Sequence, residues 1–325
     1  MTTDNKDKQP QLLSMRQVFG QTLLSLAKTN KKIYVVDADL KSPLHLGKFA
    51  SWYRHRFIEC GVAENNATAI AAGLAKTGKV VFLTSFSCFS PAINWAVIKQ
   101  SICYNQANVK IIGSHSGLLS ANLGATHQML EDIALTRVLP NMEVFAPIDA
   151  VETKKIITTL VRSPHPAYIR LVRPSTPQIF PQKFDFTIGK SHLLQIGKHI
   201  TVLGYGPILI QAIKAQQKLN QKYGTSAPQL EIINCSSIKP MDTSTIKKSV
   251  KKTGRLIVIE DHQKVGGLGQ AVASLLFASN LYPRFIHLAV DNQFGQSAKD
   301  YQKLYTYYGI SLDHLLRAIQ KLFKN

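Results

Sequence analysis

Residues 57–75 read FIECGVAENNATAIAAGLA. The stretch opens as an apolar, strand-like run and closes as an alanine-rich run. It predicts a strand that turns directly into a helix. Between Cys60 and Ala75 the one charged side chain is Glu64, at the junction itself. Two readings are open there. A carboxylate in the first turn of a helix is stabilised by the helix dipole. A carboxylate drawn into apolar surroundings resists ionisation, and can share or donate a proton near neutral pH. Carboxylates are seldom buried without a partner or a task.

Outward from this junction, strand-like runs alternate with helical patterns. Strands are expected at 33–36, 57–60, 79–83, 109–112, 143–145 and 167–171, with helices at 15–28, 64–75, 91–104, 131–138 and 149–162. Strands joined by helical crossovers predict a mostly parallel sheet covered on both faces. Pro174, Pro177 and Pro181, set among polar residues, mark a linker at 176–187. A second series follows, with strands at 200–204, 230–234, 255–259 and 284–288 and helices at 207–219, 242–250, 266–277 and 311–323. The expected fold class is α/β, with two doubly wound domains at 13–175 and 188–325 behind a short disordered tail at 1–12.

Composition narrows the function classes. A chain of 325 residues, 45% hydrophobic and 18% charged, suits about two globular domains. No apolar run reaches the ~18 residues of a membrane span, and the opening MTTDNKDKQPQ lacks the apolar stretch of a signal peptide. A cytoplasmic protein without membrane contact is expected. Cys60, Cys88, Cys103 and Cys235 form no CxxC pair, which favours reduced, buried thiols over disulfides or zinc. The formal net charge of +20 raises nucleic acid as a partner. The lysines are nevertheless spread over helix ends and loops, with no arginine stripe and no interleaved aromatics. A solvated basic surface, facing an acidic partner subunit or anionic substrates, fits that spread better.

In open parallel sheets, ligands sit beyond the carboxyl ends of the strands. Three loops of the first domain fall there: DADLKSP after Val36, TSFSCF after Leu83, and GSHSGLLSANLGATHQ after Ile112. The third carries three glycines, which let backbone approach a ligand closely, and two histidines, His115 and His127.

These residues add up to a family. GVAEN (61–65), TSFSCF (84–89), SICY (101–104), GSHSG (113–117), GATHQMLEDIALTRVLPNMEV (124–144), YIRLVRP (168–174), SIKPMD (237–242), EDHQKVGGLGQAVA (260–273), FGQSA (294–298) and YGI (308–310) occur in this order. In that order they resemble the carboxyl-terminal half of a transketolase, and in particular the small subunit of split bacterial transketolases. The resemblance runs from about Ser14 to the end of the chain. It implies a pyrimidine-binding domain, a transketolase C-terminal domain, and thiamine diphosphate as cofactor. In the family the diphosphate and its divalent metal, Mg or Ca, are held by the other half through a GDG motif. No GDG occurs here. The resemblance therefore implies an N-terminal partner subunit, an α2β2 assembly, and no activity for this chain alone.

What the resemblance assigns to residues follows position by position. Glu64 matches the family glutamate whose carboxyl contacts the cofactor pyrimidine and promotes loss of the thiazolium proton; the cofactor performs the carbanion chemistry. Phe86 and Phe89 match the aromatic pair that packs on the pyrimidine, although as bare residues they read equally as core. Asp39 matches an aspartate lining the cofactor cavity, and reads otherwise as a strand-end turn residue. His127 matches the histidine that bonds substrate oxygens. His115 and Arg173 match sugar-phosphate positions, and Arg16 a further phosphate arginine. Arginine suits phosphate because its planar fork donates two bonds at once.

The departures point to substrate. Leu123 stands where split transketolases carry an aspartate that contacts the donor's hydroxyl beside the carbonyl, and a leucine cannot accept that bond. Pro43 replaces a phosphate-contacting serine. Ile93 and Ala96 replace an arginine and a glutamate. The expected activity is transfer of a two-carbon ketol unit from a ketose (phosphate) donor to an aldose. The alternative is a related thiamine-diphosphate subunit with an altered donor, like a 2-oxoacid dehydrogenase β subunit, a deoxyxylulose-phosphate synthase or a specialised ketol or acyl transferase. The glycine cluster Gly266–Gly269 reads as the start of a helix that packs closely at a subunit interface rather than a nucleotide loop.

Overall fold

The computed structural model describes residues 11–324. Most of the tail expected at 1–12 lies outside the described residues, and Leu12–Leu13 form a short strand, β1. The chain continues through α1 (Met15–Thr29), β2 (Ile33–Asp37), α2 (Gly47–Trp52), β3 (Phe57–Glu59), α3 (Glu64–Lys76), β4 (Val80–Phe86), α4 (Trp95–Val97) and β5 (Val109–Ser114). Next come α5 (Asp132–Arg137), β6 (Glu143–Phe145), α6 (Ala150–Leu160), β7 (Ala167–Arg170), β8 (Thr176–Pro177), β9 (His192–Gln195) and β10 (Ile200–Gly204). The rest comprises α7 (Ile210–Tyr223), β11 (Leu230–Asn234), β12 (Ser237–Lys239), α8 (Thr243–Thr253), β13 (Arg255–Gln263), α9 (Leu268–Ala278), β14 (Arg284–Val290), α10 (Tyr301–Tyr307) and α11 (Leu312–Lys324).

Two larger sheets result. The first has the order β12-β6-β7-β5-β4-β2-β3 and is parallel except for β12. The second has the order β14-β13-β10-β11-β9 and is parallel except for β9. The apolar runs of β4 and β5 are covered on both faces, as the centre of a parallel sheet requires. α1 starts where the Ser14 hydroxyl accepts the Gln17 N–H at 3.3 Å, and buries Met15, Phe19, Leu23 and Ala27 at four-residue spacing. α3 buries Ala67, Ala71 and Ala75, and these small side chains let its backbone lie close to the sheet. Glu64 is thereby brought to the carboxyl ends of the strands.

The two sheets are stitched together. β12, from the second half of the chain, pairs antiparallel with β6 at the edge of the first sheet. Between the sheets, Arg170 pairs with Asp132 at 2.9 Å and donates to the main-chain oxygen of Asp261 at 2.8 Å. The Asp261 carboxylate accepts the Leu118 N–H at 2.9 Å.

Local structure departs from the sequence expectations in two informative places. The helix expected at 91–104 is replaced by turns through Asn94, three α-helical residues, and a π-helical turn at Ile98–Tyr104. Pro91 has no N–H to give, and the Asn94 amide donates to Thr68 Oγ1 and Ser90 Oγ instead of facing solvent. β4 and β5 run further than expected, through Phe86 and Ser114. Their last residues include hydroxyl side chains, which a hydropathy pattern reads as loop, yet Thr84 and Ser114 are fully buried.

Candidate active site

The end of β4 and the loop after β5 build an aromatic wall. A turn closed by Phe89 N–H to Phe86 O at 3.0 Å folds Phe89 back over Phe86. The two rings stack with centroids 6.0 Å apart and planes 18° apart. His115 lies 3.9 Å from the Phe86 ring, and His127 stands edge-on to Phe89 at 5.5 Å. Four of the residues singled out in the sequence therefore share one wall. Two turns of backbone make this possible. His115 itself adopts φ +59°, and Gly117 adopts φ +69°. A Cβ on Gly117 would lie 2.4 Å from an Asp261 carboxylate oxygen, so only glycine fits there.

Two arginines act on His115 through their charge. Arg16 donates to Pro43 O at 2.9 Å and to Arg173 O at 2.8 Å. Arg173 donates through Nη1 to the Asn122 side-chain oxygen. Neither guanidinium has a carboxylate partner among the described residues. Burial lowers the Arg16 pKa, and the charge of Arg173 lowers it further. Burial, then the charges of Arg16 and Arg173, push His115 down to about 3. His115 is therefore a neutral imidazole, with Nδ1 in contact with Ser114 Oγ at 3.0 Å. His127 Nδ1 meets Thr126 Oγ1 at 2.9 Å, so its other nitrogen is the one left for a ligand.

Glu64 is the first residue of α3 and is 8% exposed. Its main-chain oxygen takes the Thr68 hydroxyl at 2.6 Å, while its carboxylate makes no hydrogen bond among the described residues. The carboxylate reaches the neighbourhood of the aromatic pair. Burial raises the Cys88 thiol to about 11, and the charge of Glu64 contributes to that rise. Cys88 lies between Phe86 and Phe89 in sequence. Among the described residues, no group of three His, Cys, Asp or Glu is placed to hold a metal ion. No helix there is long and apolar enough to cross a membrane.

Residues 11–178 match the family described as transketolase, pyrimidine binding domain, and residues 189–315 match transketolase, C-terminal domain. The chain belongs to the transketolase family. A Methanocaldococcus jannaschii protein named for a transketolase C-terminal section is 37% identical over 312 residues, covering 95% of this chain and 96% of that protein. A subunit of the apulose-4-phosphate transketolase of Phocaeicola vulgatus is 34% identical, covering 96% of this chain and 98% of its own length. A solved split-gene transketolase, described as an inactive beta4 tetramer, superposes with a TM-score of 0.87 at 34% identity, covering 96% of this chain and 99% of that one.

Within this transketolase chain Asp39 is set at the end of β2. It follows β2 in a left-handed conformation, φ +58°, and its N–H donates to Glu59 at 2.9 Å. No hydrogen bond, ion pair or ring contact joins it to the other seven candidates among the described residues. Its neighbour Asp37, which sequence reasoning does not single out, is fully buried. Burial raises Asp37 to about 6, against the opposing bonds from Thr84 and the Leu40 N–H. The signal that could have found it is the pair of aspartates, Asp37 and Asp39, at a strand end. The glycine cluster does start α9, and its tight packing is internal. A Cβ on Gly269 would meet the His287 ring at 2.3 Å, and Glu260 accepts the N–H groups of Leu268 and Gly269 at 2.8 and 2.9 Å.

Proposed function

We propose that this chain is the pyrimidine-binding and C-terminal subunit of a two-chain, thiamine-diphosphate-dependent transketolase. It transfers a two-carbon ketol unit from a ketose (phosphate) donor to an aldose acceptor. The observation that carries this is Glu64: a nearly buried carboxylate without a hydrogen-bond partner among the described residues, opening α3 close enough to Cys88, between the stacked Phe86 and Phe89 in sequence, to raise its pKa. Such a carboxylate fits a ring nitrogen that shares a proton with it, and the Phe86–Phe89 pair offers that ring an apolar platform. Thiamine diphosphate, when bound, supplies the carbanion chemistry. Glu64 Oε holds or passes the proton, and Asp39 lines the cofactor cavity. His127 donates or accepts at substrate oxygens through its free nitrogen. Neutral His115 offers a hydrogen bond without charge. Arg173 and Arg16 face the anionic end of a sugar phosphate, because two unpaired guanidinium groups this close call for an anion.

The diphosphate and its divalent metal, Mg or Ca, fall to an N-terminal subunit carrying a GDG motif, in an α2β2 assembly. Exposed apolar side chains support such a partner: Val62, two residues before Glu64, is 80% exposed, and Ile93, four after Phe89, is 58% exposed. The division into domains at 13–175 and 188–325 and a cytoplasmic location belong to the same proposal. The test is reconstitution with a GDG-containing chain. Glu64→Gln is expected to lower turnover by about 10²–10⁴-fold while leaving assembly intact. Full turnover in that variant would remove Glu64 from the mechanism.

A second reading keeps the fold and cofactor and changes the donor, towards a 2-oxo acid or a specialised ketol or acyl transfer. Partly exposed Leu123 and exposed Ile93 favour it. Comparing phosphorylated with unphosphorylated donors separates the two, and efficient turnover of a ketose phosphate counts against the second.

A further inference from the structure

We propose that Asn122 is the positioning residue of the anion subsite: it holds the Arg173 guanidinium in the orientation that receives a tetrahedral oxyanion. The inference rests on the transketolase reading of the site and deepens it. Arg173 is anchored at both ends. Its main-chain oxygen accepts from Arg16 at 2.8 Å, and its Nη1 donates to the Asn122 side-chain oxygen. Nη2 and Nε make no hydrogen bond among the described residues. Those two donors form the edge of the guanidinium fork that matches two oxygens of a phosphate. No carboxylate holds this fork, and an amide is the apt neutral substitute. It accepts one N–H and leaves the positive charge uncompensated for the ligand.

Asn122 is the exposed residue of the otherwise largely buried 3₁₀ stretch Leu118–Leu123. The ends of that stretch are fixed by Asp261, which accepts the Leu118 N–H, and by Ala298, whose N–H donates to Ala121 O at 3.0 Å. The amide is therefore presented by an anchored loop. Losing it frees a long side chain whose ordering the ligand must then supply, which weakens oxyanion binding by about three- to tenfold.

The experiment uses the complex reconstituted with its GDG-containing partner. Asn122→Ala is expected to raise KM for a ketose phosphate by about three- to tenfold, with kcat within about twofold and KM for an unphosphorylated 2-oxo donor unchanged. An unchanged KM in the alanine variant, or an equal rise for both donors, would overturn the proposal. A second arm needs no turnover. At constant ionic strength, inorganic phosphate is expected to raise the Tm of the full chain, and to raise it less in Asn122→Ala. Equal gains in the two proteins overturn the proposal. A complex inactive with every donor refutes the transketolase reading, and the phosphate arm still decides the role of Asn122.

Discussion

Histidines usually take up a proton just below neutral pH, and His115 should not. It is 5% exposed, covered by the Phe86 ring at 3.9 Å, and near two guanidinium charges. Burial and those charges hold it near pH 3 in the folded chain. In the unfolded chain it returns to about 6.5. The folded value is depressed, so below pH 6.5 the unfolded state binds a proton that the native state refuses. Stability linked to His115 is complete above pH 6.5 and falls as pH drops towards 3. Each pH unit inside that window costs about 1.4 kcal/mol, so acidification from 6.5 to 4.5 costs about 3 kcal/mol.

The assay is urea unfolding of wild type and His115→Gln at pH 7, 5.5 and 4.5, followed by circular dichroism. Carboxylates titrate in both proteins and cancel in the comparison. Wild type starts as the more stable protein, and its advantage should shrink by about 3 kcal/mol between pH 7 and 4.5. NMR gives a direct check: the His115 ring-proton shift should stay flat from pH 8 to 4.5, while exposed histidines move. Arg16→Gln removes one of the two charges and should raise the His115 titration point. A constant gap between the proteins, or a normal titration curve, would show that His115 accepts a proton in the native state. The neutral-imidazole role would then fail.

Three other perturbations test separate parts of the fold and site. Asp132→Ala leaves Arg170 buried without its 2.9 Å partner and removes the acceptor of the Tyr168 hydroxyl; a loss of about 3–5 kcal/mol is expected by chemical denaturation. Gly117→Ala adds left-handed strain and a 2.4 Å clash with Asp261, for an expected loss of about 2–4 kcal/mol, and a variant as stable as wild type would contradict the described loop. Leu123→Asp supplies the acceptor that the proposed ketol-transfer site lacks at position 123, and should raise kcat/KM at least about tenfold for donors with a hydroxyl next to the carbonyl, with unaltered selectivity counting against a role for position 123.

The alternating strand and helix pattern makes both sheets legible from sequence, because parallel strands are apolar on both faces and their crossovers are amphipathic. What escapes are elements whose residues carry no periodic signal. β12 is three residues long, contains Lys239, and pairs with a strand more than ninety positions earlier, so nothing local announces it. The ends of β4 and β5 are hidden by Thr84, Ser85 and Ser114, hydroxyl residues whose burial depends on tertiary contacts. In the site, motif order brings Phe86, Phe89, His115 and His127 into view, and the rings do meet. Asp37 and Asn122 escape for a shared reason. Each acts on a neighbour's position, Asp37 on the loop after β2 and Asn122 on Arg173, and such work leaves no chemical signature in an isolated residue type.

The charges of the site make a further point about its completeness. Glu64 is acidic, Arg16 and Arg173 are basic, and no ion pair joins them. Within one chain, pairing these groups would be the simplest way to offset their desolvation. Instead Arg16 is braced by main-chain oxygens, Arg173 by a neutral amide, and Glu64 by the start of α3. Each keeps open donors or acceptors. Such an arrangement is stable only because helix ends, carbonyl groups and the buried Asp132–Arg170 pair hold the scaffold rigid around it. It makes electrostatic sense when the proton-sharing ring and the oxyanion of the proposed reaction come from outside the chain.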